Sequence, residues 1–76
     1  MKKMQEFRSL RRLMKAANIT ELAPYMHMTR PSVYKRIQHP EQLSLSEIIG
    51  IGKYYIVNGE MTAEEFRAAL INDFKF

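Results

Sequence analysis

Cysteine is absent from the 76 residues, so neither a disulfide nor a cysteine-ligated zinc ion can stabilise the fold. A chain without cysteine is typical of the cytoplasm, where we expect this protein to act. No apolar run approaches the roughly 20 residues that span a bilayer. The first residues are followed by arginines rather than by the apolar core of a secretion signal. The sequence therefore predicts a protein without a membrane partner.

Residues suited to catalysis are also scarce. The two histidines, His27 and His39, lie in different predicted elements, and neither has an acid–base or nucleophilic partner beside it in the sequence. The zinc-protease HExxH motif, a glycine-rich phosphate loop and an EF-hand loop are all missing. A chain of this length also buries too small a core to build a deep cleft. We therefore expect no enzyme, no metal site, no cofactor and no small-molecule substrate.

Positive charge is present and is unevenly distributed. The net charge is +4, but residues 1–39 hold nine Lys or Arg and two Glu, whereas residues 40–76 hold three Lys or Arg and six Asp or Glu. The two parts thus carry +7 and −3. Such asymmetry indicates that one face of the protein meets a polyanion. The alternative is a basic stripe that only faces water.

Three segments have the pattern of a helix N-terminus. Residues 18–21, 44–47 and 62–65 each place Asn, Ser or Thr three positions before a Glu, ahead of an apolar periodic segment. Gly59 is a helix stop signal, and no segment alternates as a strand does. The sequence predicts one all-α domain over residues 1–76, a compact five-helix bundle. The predicted helices lie near residues 3–17, 19–26, 30–38, 45–57 and 63–73.

Apolar spacing assigns one side of each predicted helix to the core. Within the first, second, third and fifth helices the assigned residues recur at intervals of three or four, as a single helix face requires, and the fourth helix has two adjacent pairs seven residues apart. They are Phe7, Leu10, Met14, Ala17, Leu22, Met26, Val33, Ile37, Ile48, Ile49, Tyr55, Ile56, Phe66 and Leu70. In the fourth helix, Gly52 predicts a close approach by a neighbouring helix, whereas nothing in the sequence explains Gly50.

Residues 20–37 carry the most specific pattern in the chain. They read Thr-Glu-Leu-Ala-Pro-Tyr-Met-His-Met-Thr-Arg-Pro-Ser-Val-Tyr-Lys-Arg-Ile, which is a helix, a tight turn and a second helix. Leu22 and Met26 hold the first of these helices to the core, while Val33 and Ile37 anchor the second and leave its other face free. The stretch resembles the helix-turn-helix of the phage Cro and repressor type, also called the Xre family.

The resemblance extends to the flanks, because residues 10–19 and 44–55 look like the first and fourth helices of that family. It implies a lambda-repressor-like DNA-binding domain. Two positions depart from the family pattern. His27 stands where the family prefers glycine, at a turn position that we expect to have positive φ. Pro24 lies inside the second helix and is expected to kink or shorten it.

The resemblance also implies a DNA-binding surface built around the third helix, whose exposed side would occupy a major groove. Expected base-contacting residues are Thr29, Arg30, Ser32, Tyr34, Lys35 and Gln38. Among them Arg30 is the first candidate for a bidentate contact with guanine. Expected phosphate-contacting residues are Thr20, Tyr25, Arg36 and His39. The cations of the first helix either add longer-range attraction or face water; they are Arg8, Arg11, Arg12 and Lys15.

Family members bind as dimers to near-palindromic sites, with half-sites about 34 Å apart. The pairing surface predicted here is the apolar end of the chain, Leu70, Ile71, Phe74 and Phe76. These side chains point in several directions around a helix, so one small core cannot bury them all, and such a patch is typical of a partner surface. The alternative is that Phe74 and Phe76 fold back over the core of their own chain.

Composition, pattern and resemblance together predict a sequence-specific transcriptional regulator that binds double-stranded DNA as a homodimer. Its predicted target is a near-palindromic operator, and by analogy with the family it is a repressor of the phage or plasmid type. The alternative is a protein-interaction adaptor or decoy on the same scaffold without DNA affinity. The cations Arg30, Lys35 and Arg36 favour DNA.

Overall fold

A computed structural model describes residues 7–74 of the chain. Its elements are α1 (Arg8–Ala16), α2 (Ile19–Tyr25), α3 (Arg30–Gln38), a 3₁₀ turn (Pro40–Gln42), α4 (Leu45–Val57) and α5 (Ala63–Asp73). The radius of gyration, 11.9 Å, is close to the roughly 11 Å expected for a compact chain of this length. The prediction of a compact all-α bundle of five helices is confirmed. The predicted start of the first helix, near residue 3, lies outside the described residues.

Each predicted helix cap forms at least in part. Ser44 and Thr62 start α4 and α5 with complete capping boxes, in which the hydroxyl and the glutamate three residues later each accept a backbone N–H. Asn18 Oδ1 accepts the N–H of Glu21 at 3.4 Å, which is the first half of that motif. These caps explain why the boundaries of the helices could be predicted closely. None of the helices in residues 7–74 is long and apolar enough to cross a bilayer.

The core forms where α1, α2, α3 and α4 meet. Its most deeply buried side chains are Leu10, Met14, Leu22, Met26, Val33 and Ile51. On α4 the prediction was partly wrong, because Ile49 and Ile56 are 50% and 40% exposed. The inward face of α4 carries Ile48 and Tyr55, as predicted, together with Ile51 and Tyr54. Ile49 and Ile56, seven residues apart, lie on the neighbouring side of the helix, where α5 covers them incompletely.

Two glycines in α4 allow its close packing. A β-carbon at Gly50 would collide with the carbonyl group of Tyr25, because α4 passes directly against the end of α2. At Gly52 a β-carbon would lie 2.5 Å from the ring of Phe66. The close approach predicted for Gly52 is therefore present, but the neighbour is an aromatic side chain of α5. Gly50, unexplained from the sequence, is required by the contact with α2.

Asp73 joins the two ends of the described chain. Its buried carboxylate accepts the backbone N–H of Ser9 at 2.9 Å and that of Leu10 at 2.8 Å. Phe7, at the N-cap of α1, has no side-chain group that could accept these bonds. Asp73 therefore caps α1 from the last turn of α5, and the negative charge also interacts favourably with the helix dipole.

Candidate nucleic-acid interface

The turn between α2 and α3 sets the geometry of the candidate site. His27 has φ 59°, in the left-handed region, as predicted. The N–H of Met28 donates to the carbonyl of Ala23 and that of His27 to the carbonyl of Pro24, both at 3.1 Å. This is the Schellman pattern that ends helices, with histidine in the position usually held by glycine. Pro24 lies inside α2, which ends one residue later at Tyr25, so α2 is short.

The side of α3 opposite the core carries polar and cationic groups. Val33 is fully buried and Ile37 packs against the core, which confirms the predicted inward face. The exposed polar side chains of α3 that point away from this core, grouped around the exposed ring of Pro31, form what we call the α3 face. They are Arg30, Tyr34, Lys35 and Gln38. Tyr34 is a large aromatic residue of which 55% is exposed to solvent.

The other two predicted base-contacting residues take part in the cap of α3. Thr29 Oγ1 accepts the N–H of Ser32 at 3.4 Å, and the two hydroxyl oxygens lie 3.1 Å apart. Thr29 is exposed and Ser32 is half-buried. Both therefore lie at the amino-terminal edge of the α3 face, with their hydroxyl groups already engaged in stabilising the helix.

The four predicted phosphate-contacting residues do not form one cluster. Arg36 Nε donates to Glu47 Oε1 at 3.1 Å, and the same oxygen accepts the N–H of Ser44, so Arg36 links α3 to the cap of α4. Tyr25 is half-buried, with its ring edge-on to that of Tyr54. His39 lies at the end of α3 with Nδ1 3.4 Å from a Glu41 carboxylate oxygen. Of the four, Thr20 alone lines the same groove as Arg30 and Tyr34 of the α3 face.

Thr20 and the α3 face line a common groove of about 500 Å³, which we call the α1–α3 groove. It runs between the end of α1, the start of α2 and the exposed side of α3. Its polar and aromatic lining comprises Lys15, Asn18, Thr20, Arg30 and Tyr34. The groove thus brings together two predicted base-contacting residues, one predicted phosphate-contacting residue and a lysine from α1. Two of the five are cations and none is acidic.

Arg11 has a role that the sequence did not indicate. Its Nε donates to the carbonyl of Ile37 at 3.0 Å, and its Nη2 lies 3.5 Å from the carbonyl of Gln38. These are among the last carbonyl groups of α3, which have no partner within the helix. Arg11 therefore caps α3 and fixes α1 beside it. A cation near a helix C-terminus is a recognisable signal, but here it lies 26 residues from its acceptor.

The residues predicted for dimerisation are distributed over different surfaces. Leu70 lines a groove of about 330 Å³, the α4–α5 groove, together with Ile49, Ile56 and Phe66. Ile71 is 62% exposed. The ring of Phe74 lies edge-on to that of Phe7, with their centroids 5.2 Å apart, so Phe74 packs on its own chain. Phe76 lies outside the described residues.

Comparison of the chain with models of protein families, with curated proteins and with solved structures found no match. A function for this chain must therefore be inferred from its own residues and surfaces.

Proposed function

We propose that this protein binds double-stranded DNA in a sequence-specific manner and regulates transcription, with α3 lying in the major groove. The observation that carries the proposal is the division of α3 into two sides. Val33 and Ile37 hold one side to the core, and the α3 face is left exposed with two cations and an aromatic ring. A major groove accommodates one α-helix, and its base edges offer acceptors suited to such side chains.

Each residue of the α3 face has a chemical partner on DNA. Arg30, in the first turn of α3, has the planar donor pair that binds O6 and N7 of guanine. Gln38 matches the donor and acceptor of adenine, and Lys35 reaches guanine or a phosphate. Tyr34 offers an apolar ring edge to a thymine methyl group and a hydroxyl to a phosphate. Thr20, across the α1–α3 groove, is the proposed phosphate contact on the flank.

We further propose that the protein acts as a homodimer on a near-palindromic operator, as the resemblance to the Cro and repressor type implies. Two copies of α3 would then occupy successive major grooves about 34 Å apart. The exposed apolar side chains around the α4–α5 groove are the proposed pairing surface, with Ile49 and Ile56 in the groove and Ile71 next to its lining residue Leu70. Repression in the cytoplasm of a bacterial host, as for phage and plasmid regulators, belongs to the same proposal.

A second candidate function, that of a protein-interaction adaptor, is favoured by the α4–α5 groove. Six of its eight lining residues are apolar, and exposed Val57 and Ile71 follow two of them in the sequence. Surfaces of this kind mark protein partners. In this alternative the cations of the α3 face only keep the protein soluble.

Selection of bound duplexes from a random pool, followed by titration at increasing salt, separates the two functions. A DNA-binding protein is expected to enrich a two-fold symmetric motif. It should also lose about 10³-fold in affinity between 50 and 200 mM salt if it makes about six phosphate contacts. Absence of enrichment together with salt-insensitive or undetectable DNA binding would contradict the proposal and favour the adaptor.

A further inference from the structure

Three cations follow one side of α1 outside the α3 face. Arg8, Arg12 and Lys15 are exposed and lie four and three residues apart, which places them on one stripe of the helix, here called the α1 stripe. They line a shallow groove of about 490 Å³ that is completed by Arg11 and Ala16. No acidic side chain lines this groove among the residues that the structure describes.

The α1 stripe is continuous with the α1–α3 groove. Lys15 lines both grooves, so a cationic surface runs from Arg30 on α3 through Lys15 to Arg12 on α1. Within residues 7–74 neither Arg12 nor Lys15 forms an ion pair. Their positive charges are therefore available to an external anion.

The position of the α1 stripe relative to α3 is fixed by hydrogen bonds in the first half of α1. Arg11 binds the carboxyl-terminal carbonyls of α3, and Asp73 binds the first N–H groups of α1. Because α1 cannot turn about its axis without breaking these bonds, Lys15 stays in the α1–α3 groove. The rest of the α1 stripe then stays beside that groove. A ligand held on α3 would thus meet the stripe at a set distance.

We propose that the α1 stripe binds the phosphate backbone of the same duplex, beyond the base pairs that α3 contacts. This inference rests on the proposed function of the α3 face. The stripe extends about 10 Å along α1, at 1.5 Å per residue. Each strand carries one phosphate per about 3.4 Å of duplex axis, so several phosphates lie within reach of flexible cationic side chains spread over this length. The guanidinium and ammonium groups donate strong charge-assisted hydrogen bonds to phosphate oxygens.

The test compares two double variants that lower the net charge equally. Arg12→Gln with Lys15→Gln removes two cations of the stripe. Lys53→Gln with Arg67→Gln removes two exposed cations on a different surface. Because both line the α4–α5 groove beside the proposed pairing surface, sedimentation equilibrium first gives the dimer dissociation constant of each variant, and all DNA titrations are made well above it. All four side chains are exposed, so both variants should keep the melting temperature of the wild type. Arg8 is left intact because it lies next to the N–H groups bound by Asp73.

Affinity for the selected site is then measured against salt concentration, with duplexes that end at the site and duplexes extended on both sides. Each lost phosphate contact should reduce the slope of log affinity against log salt concentration by about 0.9. For the stripe variant on the extended duplex, this slope should therefore be smaller in magnitude by about 1.8. Between 50 and 200 mM salt, the affinity of the wild type should therefore fall roughly tenfold more than that of the stripe variant. Extension of the duplex should raise the affinity of the wild type and of the control variant, but not that of the stripe variant.

Two results would overturn the inference, and they are distinguishable. If wild-type protein binds its site but both variants change the slope equally, the α1 stripe is a solvated face and the function of α3 stands. If wild-type protein binds no duplex at any salt concentration, the proposed function fails and the inference fails with it. A charge-conserving variant, Arg12→Lys with Lys15→Arg, should keep the wild-type slope and excludes an effect of altered folding.

Discussion

The backbone at His27 is held in a conformation that costs a residue with a β-carbon about 1–2 kcal/mol. Histidine tolerates the left-handed region better than most residues, and its exposed side chain contributes little packing at this position. The positive φ could be predicted from the sequence, because His27 stands where the resembled motif has glycine. The hydrogen bonds that enforce it, from Met28 and His27 back to α2, became visible only in the structure.

We expect His27→Gly to raise the free energy of unfolding by up to about 1 kcal/mol, since the relief of strain exceeds the entropy that glycine loses on folding. Urea denaturation of the two proteins measures the difference. His39→Gly is the matched control, because His39 has φ −131° and no such strain. A clear loss of stability in His27→Gly would contradict the account of the turn.

Arg30 and Arg36 are two arginines of α3 with different surroundings. Arg30 is exposed in the α1–α3 groove, whereas Arg36 is held by Glu47. We expect Arg30→Ala to cost about 1–3 kcal/mol of binding to the selected site and to relax the preference at one base pair. Arg36→Ala should change stability more than base preference. Competition titrations with single-base-pair variants of the site measure both. An equal loss on every duplex would identify Arg30 as a phosphate contact.

At the scale of the helices, the boundaries could be predicted and the buried face of α4 could not. Capping residues act locally, so Ser44 and Thr62 mark the starts of α4 and α5 in the sequence itself. The apolar residues of α4 cover most of its circumference, and periodicity alone cannot choose among them. Burial of Ile51 and exposure of Ile49 are decided by α2 and α5, whose positions follow from contacts distant in sequence.

Gly50 tests the contact between α4 and α2. Although alanine favours a helix by about 1 kcal/mol over glycine, its β-carbon would collide with backbone atoms of Tyr25, which cannot move without displacing α2. We expect Gly50→Ala to lower the free energy of unfolding by about 1–3 kcal/mol. Gly52→Ala should cost less, because its β-carbon meets the side chain of Phe66 rather than backbone. Denaturant titrations measure the loss of stability in each variant. A larger loss in Gly52→Ala than in Gly50→Ala would mean that α4 packs more tightly against α5 than against α2.

Tyr55 links α4 to α1 through a hydrogen bond from its hydroxyl to the carbonyl of Leu13. Burial raises the pKa of Tyr55 above its usual value of 10.0, with further contributions from the charges of Glu60 and Tyr54. Below pH 10 the phenol is protonated in both states, and its contribution to stability is complete. As the pH rises through that value, the unfolded chain releases the proton first, so stability falls until the folded pKa is reached.

The measurement is urea denaturation at a series of pH values from neutral to strongly alkaline, with Tyr55→Phe as the comparison. We expect the wild type to lose its advantage over the variant as the pH rises above 10. The other ionisable groups are present in both proteins and cancel in the difference. A difference independent of pH would mean that the Tyr55 hydroxyl is as accessible in the folded protein as in the unfolded chain.

For the whole molecule, the uneven charge of the sequence has two different origins. In the acidic part of the sequence, residues 40–76, Glu47 and Glu65 complete helix caps and Asp73 caps α1, so these carboxylates stabilise the fold. On the basic side, Arg11 also stabilises the fold, while Arg30 remains exposed in the α1–α3 groove. The asymmetry could be read from the sequence. The sequence does not reveal which charged side chains already have a partner within the chain, because the two partners are far apart in sequence.

The proposed dimer assigns different roles to Ile71 and Phe74, which the sequence grouped together. Ile71 is 62% exposed, so Ile71→Gln should weaken dimerisation and change the free energy of unfolding of the monomer by less than about 0.5 kcal/mol. Phe74 packs edge-on against Phe7, so Phe74→Ala should destabilise the monomer itself. Sedimentation equilibrium gives the dimer dissociation constant, and thermal unfolding at low concentration gives the stability of the monomer.

Leu45→Gln is the control, since Leu45 is 72% exposed and does not line the α4–α5 groove. Equal weakening of the dimer by Ile71→Gln and Leu45→Gln would place the pairing surface elsewhere.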